Sequence, residues 1–277
     1  MSMAKGSQQA PLTNGFEHPR LSELRLYFQP QVSLDDGSVI GLEALIRWQH
    51  PQRGLLPPAA FLEALEGSAL ALPVGWWVLD TACAQLAAWR SAGVPDVRIA
   101  VNLFAAQMRA DGLVARVTKA LVDNLLPPAL LQLEVTERTA LHQDDESLAA
   151  VRQLRALGVS IAFDDFGTGY ASLSSLRRFP LTTLKIDRSF VRDLLTSRRD
   201  MAITRATLSM GHELGLEVIA EGIETAAQEV ALQALGCRAG QGFRYGQPMS
   251  ADAAAELLLR GRGLLGSAAL PAIQVAL

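Results

Sequence analysis

Short apolar and β-branched runs alternate along this chain with longer stretches of helical spacing. The candidate strands are Arg25 to Val32, Ser38 to Trp48, Val97 to Leu103, Leu130 to Thr136, Val159 to Asp164, Thr182 to Asp187, Leu216 to Ala220 and a weaker run at Arg238 to Phe243. Helical periodicity covers Pro57 to Glu66, Gly75 to Arg90, Ala105 to Asn124, Asp144 to Leu157, Ser197 to Leu214, Ala226 to Leu235 and Ala251 to Leu259. Glycine follows the last turn in RSAG before Val94, RALG before Val159 and HELG before Leu216, as helix stops require. Strand followed by helix, repeated along the chain, predicts an α/β fold with a parallel sheet closed as a modified TIM (β/α)8 barrel. The first two runs are joined by LDDGS, whose Asp-Gly turn predicts a hairpin, so one early strand is expected to run antiparallel. The competing architecture, a doubly wound open sheet, would carry a Gly-rich phosphate turn after its first strand. Neither GxGxxG nor GxxxxGK[ST] occurs.

Polar residues interrupt these apolar strands near their carboxyl ends. They are Glu43 in VIGLEALIRW, Asn102 in RIAVNL, Glu134 in LLQLEVTE, Asp164 and Asp165 in VSIAFDDFG, Lys185 and Asp187 in TTLKIDRSF, Glu221 in LEVIAEG, and Gln241 in GQGF. A single acid in such a place ordinarily caps the next helix or is solvated. A whole set of them in runs as apolar as LQLEVT is costly to leave unpaired. In a barrel the carboxyl ends of the parallel strands surround one mouth, so these groups are expected to converge there.

Composition bounds the chemistry. The chain has 277 residues, 49% of them hydrophobic, with 25 Lys+Arg against 28 Asp+Glu and a formal charge of −3. That supports one large core and excludes a broadly basic face for a DNA or RNA polymer. Cys83 and Cys237 form no metal or redox spacing, which points to a reducing, cytoplasmic setting. The polar start MSMAKGSQQAPLTNG has no apolar signal core, and no run reaches the roughly 18 to 20 apolar residues of a membrane span. Trp76, Trp77 and Trp89 share a helical region with Leu72, Leu79 and Leu86 and read as core, while the pairs Arg177, Arg178 and Arg198, Arg199 read as solvated faces.

Glu43, Glu134, Asp164, Asp165 and Glu221, with the amide Asn102, outnumber the nearby cations Lys185 and Arg47. Buried carboxylates must be protonated, paired or bound to metal, and a divalent ion is the economical solution. None of the four histidines, His18, His50, His142 and His212, sits at a strong strand end, so the donors are hard oxygens that favour Mg²⁺ or Mn²⁺ over Zn²⁺. Glu43, Leu45 and Arg47 share one strand face, as do Lys185 and Asp187. Lys185 either pairs with Asp187 or another acid to hold the barrel together, or acts on a metal-bound water; the second reading is preferred. Glu137, in the loop after its strand, is placed to hydrogen-bond another loop rather than a metal.

The strings YFQPQVSL, EALIRW, HPQRG, VNLF, LEVTE, FDDFGTGYASL, LKIDRSFV, AEGIE and GQGF follow one another in the order seen in EAL domains, cyclic di-GMP phosphodiesterases of bacterial second-messenger signalling. The chain resembles that family from about Leu24 to about Leu259, and Glu43, Ala44 and Leu45 spell its name. The resemblance implies hydrolysis of cyclic di-GMP to linear 5′-pGpG by a water that two Mg²⁺ or Mn²⁺ ions activate. Glu43, Asn102, Glu134 and Asp164 resemble the ligands of one ion, and Asp164, Asp165 and Glu221 those of the second, with Asp187 beside it. Lys185 resembles the lysine that contacts the attacking water, Arg47 the arginine on the substrate phosphate, and Leu45 and Gln241 residues of the substrate side of the mouth; Glu43 and Glu221 join Lys185 as catalytic candidates. Glu137 and the loop of Phe166, Gly167, Thr168 and Gly169 resemble an element that links metal binding to dimerisation. The implied partners are cyclic di-GMP, a second copy in a homodimer, and a fused or separate sensory or GGDEF module. Residues 22–262 would form the domain, with 1–21 a flexible arm or linker and 263–277 an apolar tail. Departures from the family are Leu65 in place of a smaller residue and Phe243 and Tyr245 in GQGFRYGQP; none removes a ligand. A receptor that binds cyclic di-GMP without cleaving it is the alternative, and a barrel glycosidase with paired carboxylates a distant third that leaves Asn102 and Lys185 unexplained.

Overall fold

The structure is a computed structural model in which residues 18–137, 139, 145–168 and 173–260 are described. The segments proposed as arm and tail therefore lie largely outside the described residues, as does Gly169. Eight strands follow the expected runs, β1 Leu24–Ser33, β2 Val39–His50, β4 Arg98–Asn102, β5 Leu131–Thr136, β6 Ser160–Phe166, β7 Thr183–Ile186, β8 Glu217–Ala220 and β9 Ala239–Gln241, and a ninth, β3 Gly54–Leu56, was not expected. The helices are α1 Leu62–Glu66, α2 Ala71–Ser91, α3 Ala105–Met108, α4 Leu113–Asp123, α5 Asp145–Ala156, α6 Leu173–Arg178, α7 Arg188–Arg192, α8 Arg198–Glu213, α9 Ala226–Ala234 and α10 Ala251–Arg260.

Eight strands close into a barrel in the order β1, β2, β4, β5, β6, β7, β8, β9, and β3 adds an antiparallel edge to β2. β1 runs antiparallel to both β2 and β9, and every other barrel pairing is parallel. This is the modified TIM barrel with one reversed early strand. The helix expected over Ala105 to Asn124 is two helices, α3 and α4, separated at residues 109–112, where Gly112 takes a left-handed φ of 81°. The short β3, α6 and α7 fall below the length at which apolar periodicity identifies an element.

Alternation along each strand sorts its side chains. In β5, Leu131, Leu133 and Val135 belong to the hydrophobic layer shared with the helices, whereas Gln132 and Glu134 make contacts to Thr183 and Lys185 of β7. β6 lies between β5 and β7, so those contacts cross the barrel lumen. The outer face thus supplies the apolar core and the inner face a polar interior. Trp89 is in the core, edge-on to Phe28 at 4.8 Å, and Trp76 and Trp77 pack against its margin. Its indole N–H donates to the Ala251 carbonyl at 3.2 Å and ties the last helix to the long α2. Arg177, Arg178, Arg198 and Arg199 are exposed, and both cysteines are buried thiols.

Candidate active site

The lumen is built in polar tiers. At the lower tier the Gln132 amide donates to Thr183 Oγ1 at 2.8 Å, and Arg98 reaches Glu217 at 2.7 Å. Two residues further along β5 and β7 are Glu134 and Lys185, both fully buried. Lys185 Nζ stands among four carboxylates: Glu221 at 2.6 Å, Glu134 at 2.7 Å, Asp164 at 3.2 Å and Glu43 at 3.5 Å. Asp187, offered from sequence as a partner of Lys185, is not one of the four. The strand ends therefore converge across β2, β5, β6, β7 and β8, and Asn102 on β4 joins by donating to Glu43 Oε1 at 3.0 Å.

Asp164 and Asp165 are neighbours, and on a regular strand their side chains would point to opposite faces. β6 avoids this with a register shift against β7 between Phe163 and Phe166, and Asp165 adopts a left-handed φ of 54°, a conformation Asp tolerates better than most residues. The turn is fastened by the Asp165 N–H donating to Asp164 Oδ1 at 3.1 Å. Oxygens of Asp164, Asp165 and Glu221 consequently lie within 4.8 Å of one another.

Burial and mutual repulsion set the protonation of this cluster. Burial pushes Glu134 and Glu221 well above the ordinary carboxyl range, the Lys185 ammonium offsetting only part of it while Asp164 and Glu43 add to the rise. Burial, then Asp164 and Asp187, raise Asp165 to about 7. Glu43 goes the other way: Lys185 and the donors Gln241 and Asn102 outweigh its burial and lower it. Burial alone would depress Lys185, but the surrounding carboxylates more than reverse that and keep it an ammonium. Glu134 Oε1 is buried with no hydrogen-bond partner, an unmet demand for a positive charge or donor. Oxygen donors alone, more carboxylates than cations and an orphaned carboxylate oxygen are the chemistry of a hard divalent-cation site.

A family model for the EAL domain matches residues 13–248. The chain belongs to the EAL domain family. It is 48% identical over 230 residues to the bifunctional diguanylate cyclase/cyclic di-GMP phosphodiesterase MucR of Pseudomonas aeruginosa, covering 83% of this chain and 34% of that protein. It is 42% identical over 239 residues to the cyclic di-GMP phosphodiesterase NbdA of the same species, covering 86% of this chain and 30% of that protein. A solved structure of the PaMucR phosphodiesterase in complex with c-di-GMP superposes with a TM-score of 0.80 at 47% identity, covering 84% of this chain and 94% of that one. The chain spans about a third of the length of these curated relatives.

Around the carboxylate cluster, this EAL domain places its other candidate residues at the rim or behind it. Arg47 is half-buried, donates to the Ile46 carbonyl at 2.9 Å and lies 5.7 Å from the Tyr27 ring, with Leu45 half-buried on the same strand. Asp187 caps α7, accepting from the Ser189 N–H at 3.0 Å and from its hydroxyl. It thus stands behind Asp165 rather than among the oxygens that meet within 4.8 Å. Glu137 is buried and accepts from the Gly167 N–H at 2.6 Å, the loop-to-loop bond expected of it. Phe166 is buried, Gly167 and Thr168 are exposed, and the Thr168 hydroxyl donates to the Asp165 carbonyl at 3.0 Å. Leu65 is fully packed and Tyr245 buried, its hydroxyl donating to Glu229 at 2.7 Å, whereas Phe243 is exposed.

Gln241 donates to Glu43 Oε2 at 2.6 Å and to Gln29 Oε1 at 3.1 Å, and its own oxygen accepts from Gln31 at 3.1 Å. Gln29 and Gln31 are functional neighbours that sequence reasoning passed over. Their mark was present in FQPQV, where two amides at strand period share one face of an otherwise apolar run.

Proposed function

We propose that this EAL domain hydrolyses cyclic di-GMP to linear 5′-pGpG with Mg²⁺ or Mn²⁺ held at the barrel mouth. The observation that carries the reading is the convergence of Asp164, Asp165 and Glu221 to within 4.8 Å beside the carboxylate ring of Glu43 and Glu134. Glu43, Asn102, Glu134 and Asp164 are the residues to hold one ion, and Asp164, Asp165 and Glu221 the second, with Asp187 supporting Asp165 from behind. Divalent ions bound there supply neutralisation of the substrate phosphate and acidification of water.

The chain's own groups do the rest. Lys185, kept as an ammonium, orients the attacking water by donating to it and is not the base. Glu221 takes the water proton. Arg47 offers a planar fork to a phosphate oxygen, and Leu45 supplies apolar contact beside it. The water oxygen forms a bond to phosphorus, the bond from phosphorus to the ribose 3′ oxygen breaks, and that oxygen takes a proton from solvent, giving a 3′ hydroxyl and a 5′-phosphate. Support for the substrate comes from MucR and NbdA, named as cyclic di-GMP phosphodiesterases, and from the PaMucR complex.

The reading extends to a homodimer in which the loop from Phe166 to Thr168, tied to Glu137, couples subunit contact to Asp164 and Asp165. It also extends to a cyclase or sensory module as partner, in the bacterial cytoplasm; among the described residues no helix is long and apolar enough to cross a membrane. A chromatographic time course with cyclic di-GMP, with and without Mg²⁺ and at several protein concentrations, tests it. Conversion to pGpG that needs the metal and rises with protein concentration more steeply than linearly is expected. Tight binding without product would replace hydrolysis by a receptor role, and full turnover after exhaustive chelation would remove the metals.

A further inference from the structure

We infer that Gln31 is a positioning residue that fixes which way the Gln241 amide faces, and through it the carboxylate of Glu43. Its consequence for metal binding rests on the reading above; the relay itself does not. Gln31 is fully buried, Gln241, Gln29 and Glu43 are nearly so, and the four form a directed series. Gln31 Nε2 donates to Gln241 Oε1 at 3.1 Å, and Gln241 Nε2 donates to both Glu43 Oε2 at 2.6 Å and Gln29 Oε1 at 3.1 Å. Gln29 Nε2 then donates to the Gly246 carbonyl at 3.1 Å.

The direction follows from the ends. An ionised carboxylate and a backbone carbonyl can only accept, so Glu43 and Gly246 between them require Gln241 to present its NH₂ to the mouth and its oxygen to Gln31. Gln31 meets that oxygen with a donor. Neighbouring backbone is shaped for it: Gly41 pairs with Gln31 across β1 and β2, and a Cβ on Gly41 would stand 2.6 Å from Gln31 Oε1. A side chain at position 41 would therefore force the Gln31 carboxamide to shift from this place.

Two substitutions separate this role from simple packing. Gln31→Met keeps the volume and leaves Gln241 Oε1 without a donor. Gln31→Glu is nearly isosteric but, when ionised, offers only acceptors, so position 31 and Glu43 then compete for the one NH₂ of Gln241. The first readout is nitrogen-15 NMR of the Gln241 side-chain NH₂, identified by its loss in Gln241→Met. In the parent protein the pair should be slow to exchange and shifted by the bond to Glu43; Gln31→Glu should move both peaks and Gln31→Met should speed their exchange. The second readout is Mn²⁺ affinity by electron paramagnetic resonance of the free ion. About tenfold weaker binding is expected for Gln31→Met, the scale typical of groups that orient a metal ligand, and a larger loss for Gln31→Glu. In a Gln241→Met background both effects should vanish. Unchanged NH₂ peaks in Gln31→Glu, or a loss of affinity that persists in full without Gln241, would overturn the relay. A parent protein that binds no Mn²⁺ would instead overturn the metal reading, with the NMR result still deciding the relay.

Discussion

Lys185 carries the site's positive charge in a space it shares with Glu43, Glu134, Asp164 and Glu221. Removing one partner from a buried ionic network leaves the others uncompensated, at about 3–5 kcal/mol. Lys185→Met should therefore destabilise the metal-free protein by about that amount in urea unfolding. Added Mn²⁺ should recover much of the loss without restoring turnover, whereas recovered turnover would show that Lys185 only holds the barrel together. Asp165 gives a pH dependence of definite sign. Its carboxyl, ordinarily 3.8, stands at about 7 in the folded chain, so the folded state binds that proton more tightly than the unfolded one. The contribution is complete below 3.8 and is lost as pH rises through 7, so the melting temperature of the metal-free protein should fall between pH 5 and pH 8. Saturating Mg²⁺ should flatten that slope, because the ion takes the place of the proton. A melting temperature that climbs with pH in chelator would contradict the assignment. At this scale the acids were legible because a carboxylate in LQLEVT or LEVIAE is out of place among apolar residues. The amides of Gln29 and Gln31 were not, since a glutamine draws attention only once its partners are known.

Among the elements, β6 decides most. Its register shift turns two consecutive acids into one site, and no periodicity in SIAFDDF announces that, because alternation alone assigns Asp164 and Asp165 to opposite faces. Asp165→Asn keeps a side chain suited to left-handed backbone and should preserve stability while losing metal affinity; Asp165→Val should lose both, as β-branched residues resist that conformation. Equal stability of the two variants would show that the turn is not strained. The next residues extend the same device. Glu137, just beyond β5, accepts from the Gly167 N–H, so the ends of two neighbouring strands are held by a charge-assisted bond. Glu137→Gln should cost about 1–3 kcal/mol or less in stability, with a greater proportional loss in turnover, read as kcat against melting temperature. Helix boundaries were less legible than strand ends. The break between α3 and α4 depends on a single glycine inside a stretch whose apolar spacing continues across it.

For the molecule as a whole, closure of the barrel is what makes the strand-end acids neighbours, since Glu43 and Glu221 are far apart in the chain yet share Lys185. That architecture was readable because strand-like and helical runs alternate along the chain, and because LDDGS marks the reversed pair. Ligand linkage tests the assembled site: metal at a hundredfold excess over its Kd should stabilise the folded protein by about 2.7 kcal/mol, and Glu43→Ala should abolish both this gain and the hydrolysis. Stabilisation of Glu43→Ala equal to that of the parent would place the ion elsewhere.

The reversed strand has a further consequence. Leu24 at the start of β1 pairs with Trp48, beyond Arg47 on the mouth side of β2, while Ser33 at its other end pairs with Ala239 at the start of β9. In a barrel of uniformly parallel strands the polypeptide would enter at the floor, on the side away from the chemistry. Here it enters at the catalytic rim. Any module joined ahead of β1 would be tethered beside the opening through which the proposed dinucleotide substrate would pass, so a short connection would suffice for its movement to bear on access, without a signal travelling through the barrel wall.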